Sequence, residues 1–373
     1  MSAPSIIVSA ACTFPSGPTI GLADTAVRTQ LLLLQRHPTY TNRAGNPVRA
    51  SFFPVDMPFN APRWAALATS VLKQLVANMT EGTSTQIASR PARLWLVLPD
   101  GAKQPDLPVD LAKTVTDAVH IEAFRWEQVT LCLGGHAAGI AALQDAHAAL
   151  ARDASTVAVV LGVESGLHHA ALALLEMQSL LHGADRAYRG HFLSNSYGRI
   201  PGEGAAAIAL TAGHAGDTPN DGWAMLLGAA TADEPITHAS NGVCVGAGLT
   251  QASRNAIAQA REHAPNLIGS VIADLNGEPY RADQFGFTVS RIAESFTPHW
   301  QRVTPPLASA DLNAASAVAH VALAAYRLKR FPQINHHLVL SSSDDTLRAA
   351  AVLGHVGTPS DSGEIQAWRS PSM

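Results

Sequence analysis

The feature that most constrains this chain is a set of short runs that are apolar almost throughout: Ile6-Ile-Val8, Leu94-Trp-Leu-Val-Leu98, Thr156-Val-Ala-Val-Val-Leu161 and Ala205-Ala-Ala-Ile-Ala-Leu210. None alternates apolar with polar residues, so none suits a sheet with one face in water. Between them lie stretches with helical spacing, at residues 21–36, 62–79, 110–119 and 138–150. Strands covered on both faces and separated by helices predict an α/β architecture with parallel pairing. Past a Gly/Asp/Pro-rich stretch at 212–221 the order starts again, with strands expected over 223–229, 269–275, 338–342 and 349–353 and helices over 250–263 and 314–328. The halves are 1–215 and 222–356, and the Ser/Pro-rich tail 357–373 is expected to fray. Residues 37–60 and 183–196 read as irregular surface segments.

Composition excludes several classes of function. With 47% hydrophobic and 14% charged residues the chain can bury a large core. A net charge of −4 without a basic stripe argues against nucleic acid as a partner. Cys12, Cys132 and Cys244 are too few and too scattered for a disulfide framework. There is no signal-peptide pattern and no apolar run of membrane-spanning length, so the expected location is the cytoplasm.

Chemistry concentrates in Val129-Thr-Leu-Cys132-Leu-Gly-Gly135-His136-Ala-Ala-Gly139. A β-type run reaches Cys132, turns through two glycines and continues as a helix. A cysteine at a helix N-terminus meets unpaired N–H groups and the positive end of the dipole, which favour a thiolate. Inert small-residue turns share this outline, and free cysteines are commonly buried, so both readings stand here. His136 is a weaker candidate base, with a satisfied histidine on an Ala-rich helix as the favoured reading. Glu164 reads as a buried structural carboxylate and Gly202-Glu203-Gly204 as a backbone turn. His168-His169 and His336-His337 make no obvious chelate, since neighbours on a strand face opposite ways. No metal and no cofactor is expected.

Taken in order, Val129-Thr-Leu-Cys132-x-x-Gly135, Val159-Val-Leu-Gly-Val-Glu164-Ser165 and Gly202-Glu-Gly-Ala205 through Leu210 resemble the β-ketoacyl synthases of the thiolase-like superfamily. Leu227-Gly-Ala-Ala-Thr-Ala-Asp233 resembles the strand opening that family's second half. The resemblance runs from Ile6 to about Leu353. It implies a thiolase-like fold with two related halves in a five-layered α/β/α/β/α arrangement. It also implies a homodimer and acyl groups carried on CoA or acyl carrier protein.

Active members of that family pair the cysteine with two second-half residues, usually histidines. The resemblance puts Asp274 at the first position, in Ala273-Asp-Leu-Asn276-Gly-Glu278, and finds no histidine in the second stretch, Ser309-Ala-Asp311-Leu-Asn-Ala-Ala-Ser316. His320 falls too far into the following helix. Ser341-Ser-Ser343-Asp-Asp-Thr346 replaces a glycine-rich loop. Asn276, Glu278, Asp311 and Ser343 are therefore pocket candidates, with Cys132, Asp274 and His136 as the catalytic ones. Loss of one preorganised donor to a developing oxyanion costs about 10²–10³ in rate, so condensing activity is not expected. Three readings follow: a non-condensing accessory or adaptor protein that binds acyl groups or a carrier protein; a Cys132-dependent acyltransferase or thioesterase; and a chain-length-factor-like partner of an active synthase.

Overall fold

The computed structural model describes residues 3–356 apart from 80–82, 84, 86, 88, 102–106, 108–109, 189–190, 214–221, 238, 241, 266 and 332–335. The tail 357–373 and most of the stretch between the halves thus lie outside the described residues. The first apolar run becomes β1 (Ser5–Thr13), followed by α1 (Ile20–Thr29), the hairpin β2 (Gln35–Thr41) and β3 (Pro47–Ala50), α2 (Ala61–Ala77), β4 (Pro91–Leu98) and α3 (Leu111–Ala118). Then come β5 (Arg125–Leu133), α4 (Ala138–Arg152), β6 (Val157–Glu164), α5 (His169–Met177), the hairpin β7 (Asp185–Tyr188) and β8 (His191–Ser194), and β9 (Gly204–Ala212). The second half contributes β10 (Ala224–Asp233), α6 (Ala247–Arg261), β11 (Ile268–Ala273), α7 (Pro279–Arg291), β12 (Phe296–Val303) and the short α8 (Pro306–Ser309). It closes with α9 (Ser316–Arg330), β13 (His336–Ser342) and β14 (Leu347–Gly354).

Ten strands form one sheet in the order β5-β4-β6-β9-β1-β10-β14-β13-β11-β12. The order is the same read inward from either end, once in first-half strands and once in second-half strands. Within the sheet the halves are joined by β1 and β10, through Ser5–Leu226, Ile6–Met225 and Ile7–Ala224. Pairing is parallel around β4 and β11 but antiparallel at β9, β1, β10 and β14. The expected all-parallel pairing is thus corrected to a mixed sheet. An apolar run reports cover on both faces, which helices provide whichever way the neighbouring strand runs.

That cover makes five layers. Leu94, Leu96 and Leu98 of β4 join Val157, Val159 and Leu161 of β6 in a core under α2 and α3. The intervening Trp95, Val97, Ala158 and Val160 face a central core built on α4 and α9. Val339, Ala349 and Ala351 reach the same central core from the other half, while Leu338, Leu340 and Ala350 pack outward against α6 and α7. The two central helices touch at their first turns. A Cβ on Gly139 would lie 2.7 Å from the Val318 side chain and 2.9 Å from its backbone N. No side chain fits there without displacing α9.

Four segments differ from expectation. Residues 37–60 carry the β2–β3 hairpin, whose Val48 and Ala50 pack with Phe52 on Leu167, Leu172 and Leu181. Residues 183–196 hold a second hairpin instead of an irregular loop. The stretch from Pro279 is helix α7, and the polar Phe296-Thr-Pro-His-Trp-Gln-Arg-Val303 is the edge strand β12, buried mainly at its ends. No described helix is long and apolar enough to cross a membrane.

Candidate functional site

Each half sends a loop to the place where α4 and α9 begin. From the first half comes Gly134–Ala137, tied down by the Gly134 N–H to Leu98 O (3.0 Å) and the Ala137 N–H to Ser343 Oγ (3.0 Å). From the second comes Ala310–Asn313, where Ala310 and Asn313 both hold positive φ, 61° and 36°. Such backbone persists only where its surroundings over-determine it. Here the Asp311 N–H donates to Ile200 O and its carbonyl accepts from the Gly202 N–H, each at 2.9 Å.

These loops bring His136 and Asp311 together, with His136 Nε2 2.8 Å from Asp311 Oδ1. On the other side of the ring Nδ1 lies 3.3 Å from an Arg281 guanidinium nitrogen. A guanidinium only donates, so Nδ1 accepts and the Nε2–H donates to Asp311. That geometry engages both ring nitrogens. Arg281 also reaches Asp274 (3.1 Å), Glu278 (2.8 Å), Asp344 (2.8 Å) and the Ser342 carbonyl. Arg199 binds Glu278 (2.8 Å) and forks onto both oxygens of Asp344 (3.0 and 2.9 Å). Asn276 bridges Glu278 and Asp311 at 2.9 and 2.5 Å.

The carboxylates stay ionised because they are paired. Burial pushes the Asp311 carboxyl up, but His136, Arg199 and Arg281 beside it outweigh that and hold it far below its ordinary range. Glu278 and Asp344 are likewise held down by the two guanidiniums against the opposing effect of burial. Asp274 accepts from Arg281, Ser341 Oγ and the Ser342 N–H.

Cys132 stands apart from this cluster. It is the penultimate residue of β5, whereas α4 begins at Ala138. The thiol is therefore not at the helix tip, as the sequence reading had it. It packs against the central core, and burial, with a smaller contribution from Asp145, pushes it up to about 11. At neutral pH it is a thiol, not a thiolate. Cys12 is wholly buried and pushed up to about 12, and Cys244 Sγ accepts from Gln284.

Beside the network opens a cavity of about 600 Å³ lined by Gly134, Gly135, Glu164, Arg199, Asp311, Asn313, Ser343 and Asp344, among others, but not by Cys132. Leu107, Leu174, Leu175 and Leu180 form an apolar part of its wall. Glu164, 2% exposed, accepts from the Ala314 N–H. Burial outweighs that bond and pushes its carboxyl up to about 8, so the group is a neutral acid at pH 7. Ser343 uses its Oγ to hold Ala137, and Glu203, read as part of a turn, is fully buried and gripped by Arg63 at 2.6 and 2.7 Å. Among the described residues no group of three or more His, Cys, Asp or Glu side chains could hold a metal ion.

No protein-family model and no curated protein matches the chain. Solved structures do. A type II polyketide-synthase acyl-carrier protein in complex with its ketosynthase matches with a TM-score of 0.73 at 12% identity, over 95% of this chain and 100% of that one. The fold is thiolase-like. The ishigamide ketosynthase/chain length factor follows at 0.66 and 15% (95% and 100% covered), and the ketosynthase from module 6 of the bacillaene synthase of Bacillus subtilis 168 at 0.68 and 11% (95% and 72%). Within this ketosynthase fold, Arg199 and Arg281 are the site residues that the sequence reading did not single out. The usable signal was electrical: Asp274, Glu278 and Asp311 at the buried end of an apolar sheet require cations nearby.

Proposed function

We propose that this chain is a non-condensing, ketosynthase-like accessory protein that acts by binding, with an acyl carrier protein as the partner. One observation carries the reading. In the two stretches where the resemblance expects histidines, Asp311 holds His136 and Asp274 holds Arg281, and Arg199 and Arg281 tie the group together. His136 is engaged at both ring nitrogens, and Cys132 is not among the residues that line the cavity. An imidazole whose two nitrogens are engaged neither attacks a thioester nor takes a proton. The carrier-protein partner rests on the ketosynthase neighbour that is itself complexed with one.

The test is intact mass spectrometry of the chain incubated with acyl-CoAs of several lengths and with malonyl-loaded carrier protein. No acyl adduct and no carbon dioxide release are expected, together with retention of carrier protein on the immobilised chain. An adduct that disappears in Cys132→Ala would establish the acyltransferase reading and overturn this one.

A chain-length-factor-like role, with β5 as the docking edge, has its own support. β5 is an edge strand with Leu131 and Leu133 41% and 52% exposed, an arrangement that invites another strand. A second subunit, either another copy or an active synthase, would add there. Leu131→Lys with Leu133→Lys should convert a dimer to monomer by light scattering; an unchanged mass excludes this edge.

A further inference from the structure

We propose that helix α5 is a movable gate over the cavity, latched shut on the β2–β3 hairpin through Glu176. Apart from His169 and Glu176, its nine residues are Ala, Leu and Met, yet only Leu172 and Glu176 are buried. Ala171, Leu174 and Leu175 line the cavity, and Met177 stands 61% exposed. Among the described residues α5 packs extensively on no strand of the sheet and on none of the helices that cover it. Leu172 instead shares a small separate core with Val48, Ala50, Phe52, Leu167 and Leu181. A helix with so few buried apolar contacts opens at a far lower free energy than the sheet and its central helices.

What holds α5 closed is polar and lies at the hairpin. Glu176 accepts from the Tyr40 hydroxyl at 2.8 Å and from the Arg43 N–H at 2.7 Å. Thr39 meets His169 at the first residue of the helix, with Oγ1 2.7 Å from Nε2. Water can take over each of these bonds once the helix swings out, so the latch is easily released. Beyond α5, Ser179 and Gly183 hold positive φ, 56° and 74°, and mark where the chain turns back. There the gate meets the charged site. The Arg199 N–H donates to Leu180 O at 2.7 Å, and the Arg199 carbonyl accepts from the His182 N–H at 2.9 Å. Movement of α5 therefore reaches the backbone that carries Arg199, whose side chain lines the same cavity.

The experiment is hydrogen–deuterium exchange of the full chain, read by mass spectrometry at pH 7 in 0 to 1 M urea. Peptides over residues 168–181 should exchange at least about 100-fold faster than those of α9, and their rate should hardly respond to urea, because a local opening exposes little surface. The amides of His182 and Arg199 should follow α5. Glu176→Gln should speed exchange over 168–181 about tenfold, and Tyr40→Phe about fivefold. Tyr40→Phe removes a single hydroxyl, so the test stays readable if Glu176→Gln fails to fold. Exchange of α5 as slow as that of α9, or as steeply dependent on urea, overturns the proposal, as does an unchanged rate in Tyr40→Phe. None of these results bears on adduct formation, so the gate and the accessory reading fail separately.

Discussion

Arg281→Met is expected to remove roughly 3–5 kcal/mol of stability, the range typical when one partner of a buried ion pair is deleted. The Arg281 side chain is 1% exposed and serves Asp274, Glu278 and Asp344 at once. Without it Asp274 and Glu278 remain buried beside Asp311, with Arg199 as the sole guanidinium in the network. Lysine at this position should recover only part of the loss, since an ammonium cannot reproduce a planar fork. The double variant Arg281→Met, Asp274→Asn should be less damaged than the sum of the singles, because one stranded charge is removed. Urea midpoints measure all three. A midpoint for Arg281→Met within about 0.5 kcal/mol of the parent would show that the network contributes little to the fold.

A stability maximum near pH 6.5 is the second expected result. Burial pushes His320 and His336 down to about 4 and His337 down to about 3. For a group with a lowered folded pKa, the contribution is fully present above the unfolded value of about 6.5 and is lost as pH falls toward the folded one. At pH 5 this amounts to roughly 2 kcal/mol per histidine. Glu164 runs the other way. Its folded value of about 8 exceeds its unfolded one, so its contribution is complete below that lower value and disappears as pH rises through 8. Between pH 6.5 and 5 the three histidines outweigh it, for a net loss of about 4 kcal/mol; between 6.5 and 8 Glu164 alone removes about 2 kcal/mol. Glu164→Gln should flatten the alkaline limb and leave the acid limb steep. Chemical denaturation across pH 4.5–8.5 reads both limbs, and a curve flat below pH 6.5 would contradict the burial of the histidines.

Much of the fold was legible because two-sided burial leaves a direct mark. Val157 through Leu161 could only be an interior strand, and Ala317 through Leu328 only a packed helix. Strand direction was not legible, because β6 and β9 look equally apolar whether they run together or opposed. β12 escaped notice because an edge strand need not be apolar, and α7 because Asn276-Gly277-Glu278-Pro279 reads as a turn when it is in fact the entrance to a helix. At the site, Asp274, Asn276, Glu278 and Asp311 were found through resemblance, and the structure brings all four together. Cys132 attracted attention by its chemistry, yet it packs against the central core from the end of β5, and His136, four residues on, is the side chain that joins Asp311 and Arg281. Arg199 sits far from these positions in the chain, and only the assembled fold places its charge among them.

The meeting of two helix tips at one loop cluster also limits how such a chain can drift. Positions 136, 199, 274, 281 and 311 are mutually neutralising, although they lie in both duplicated halves. Changing any one of them strands a partner, so substitutions acceptable alone are scarce. The fold thus acts as a ratchet: once opposite charges have locked across the pseudo-symmetric seam, mutation can refine the lock far more readily than it can open it.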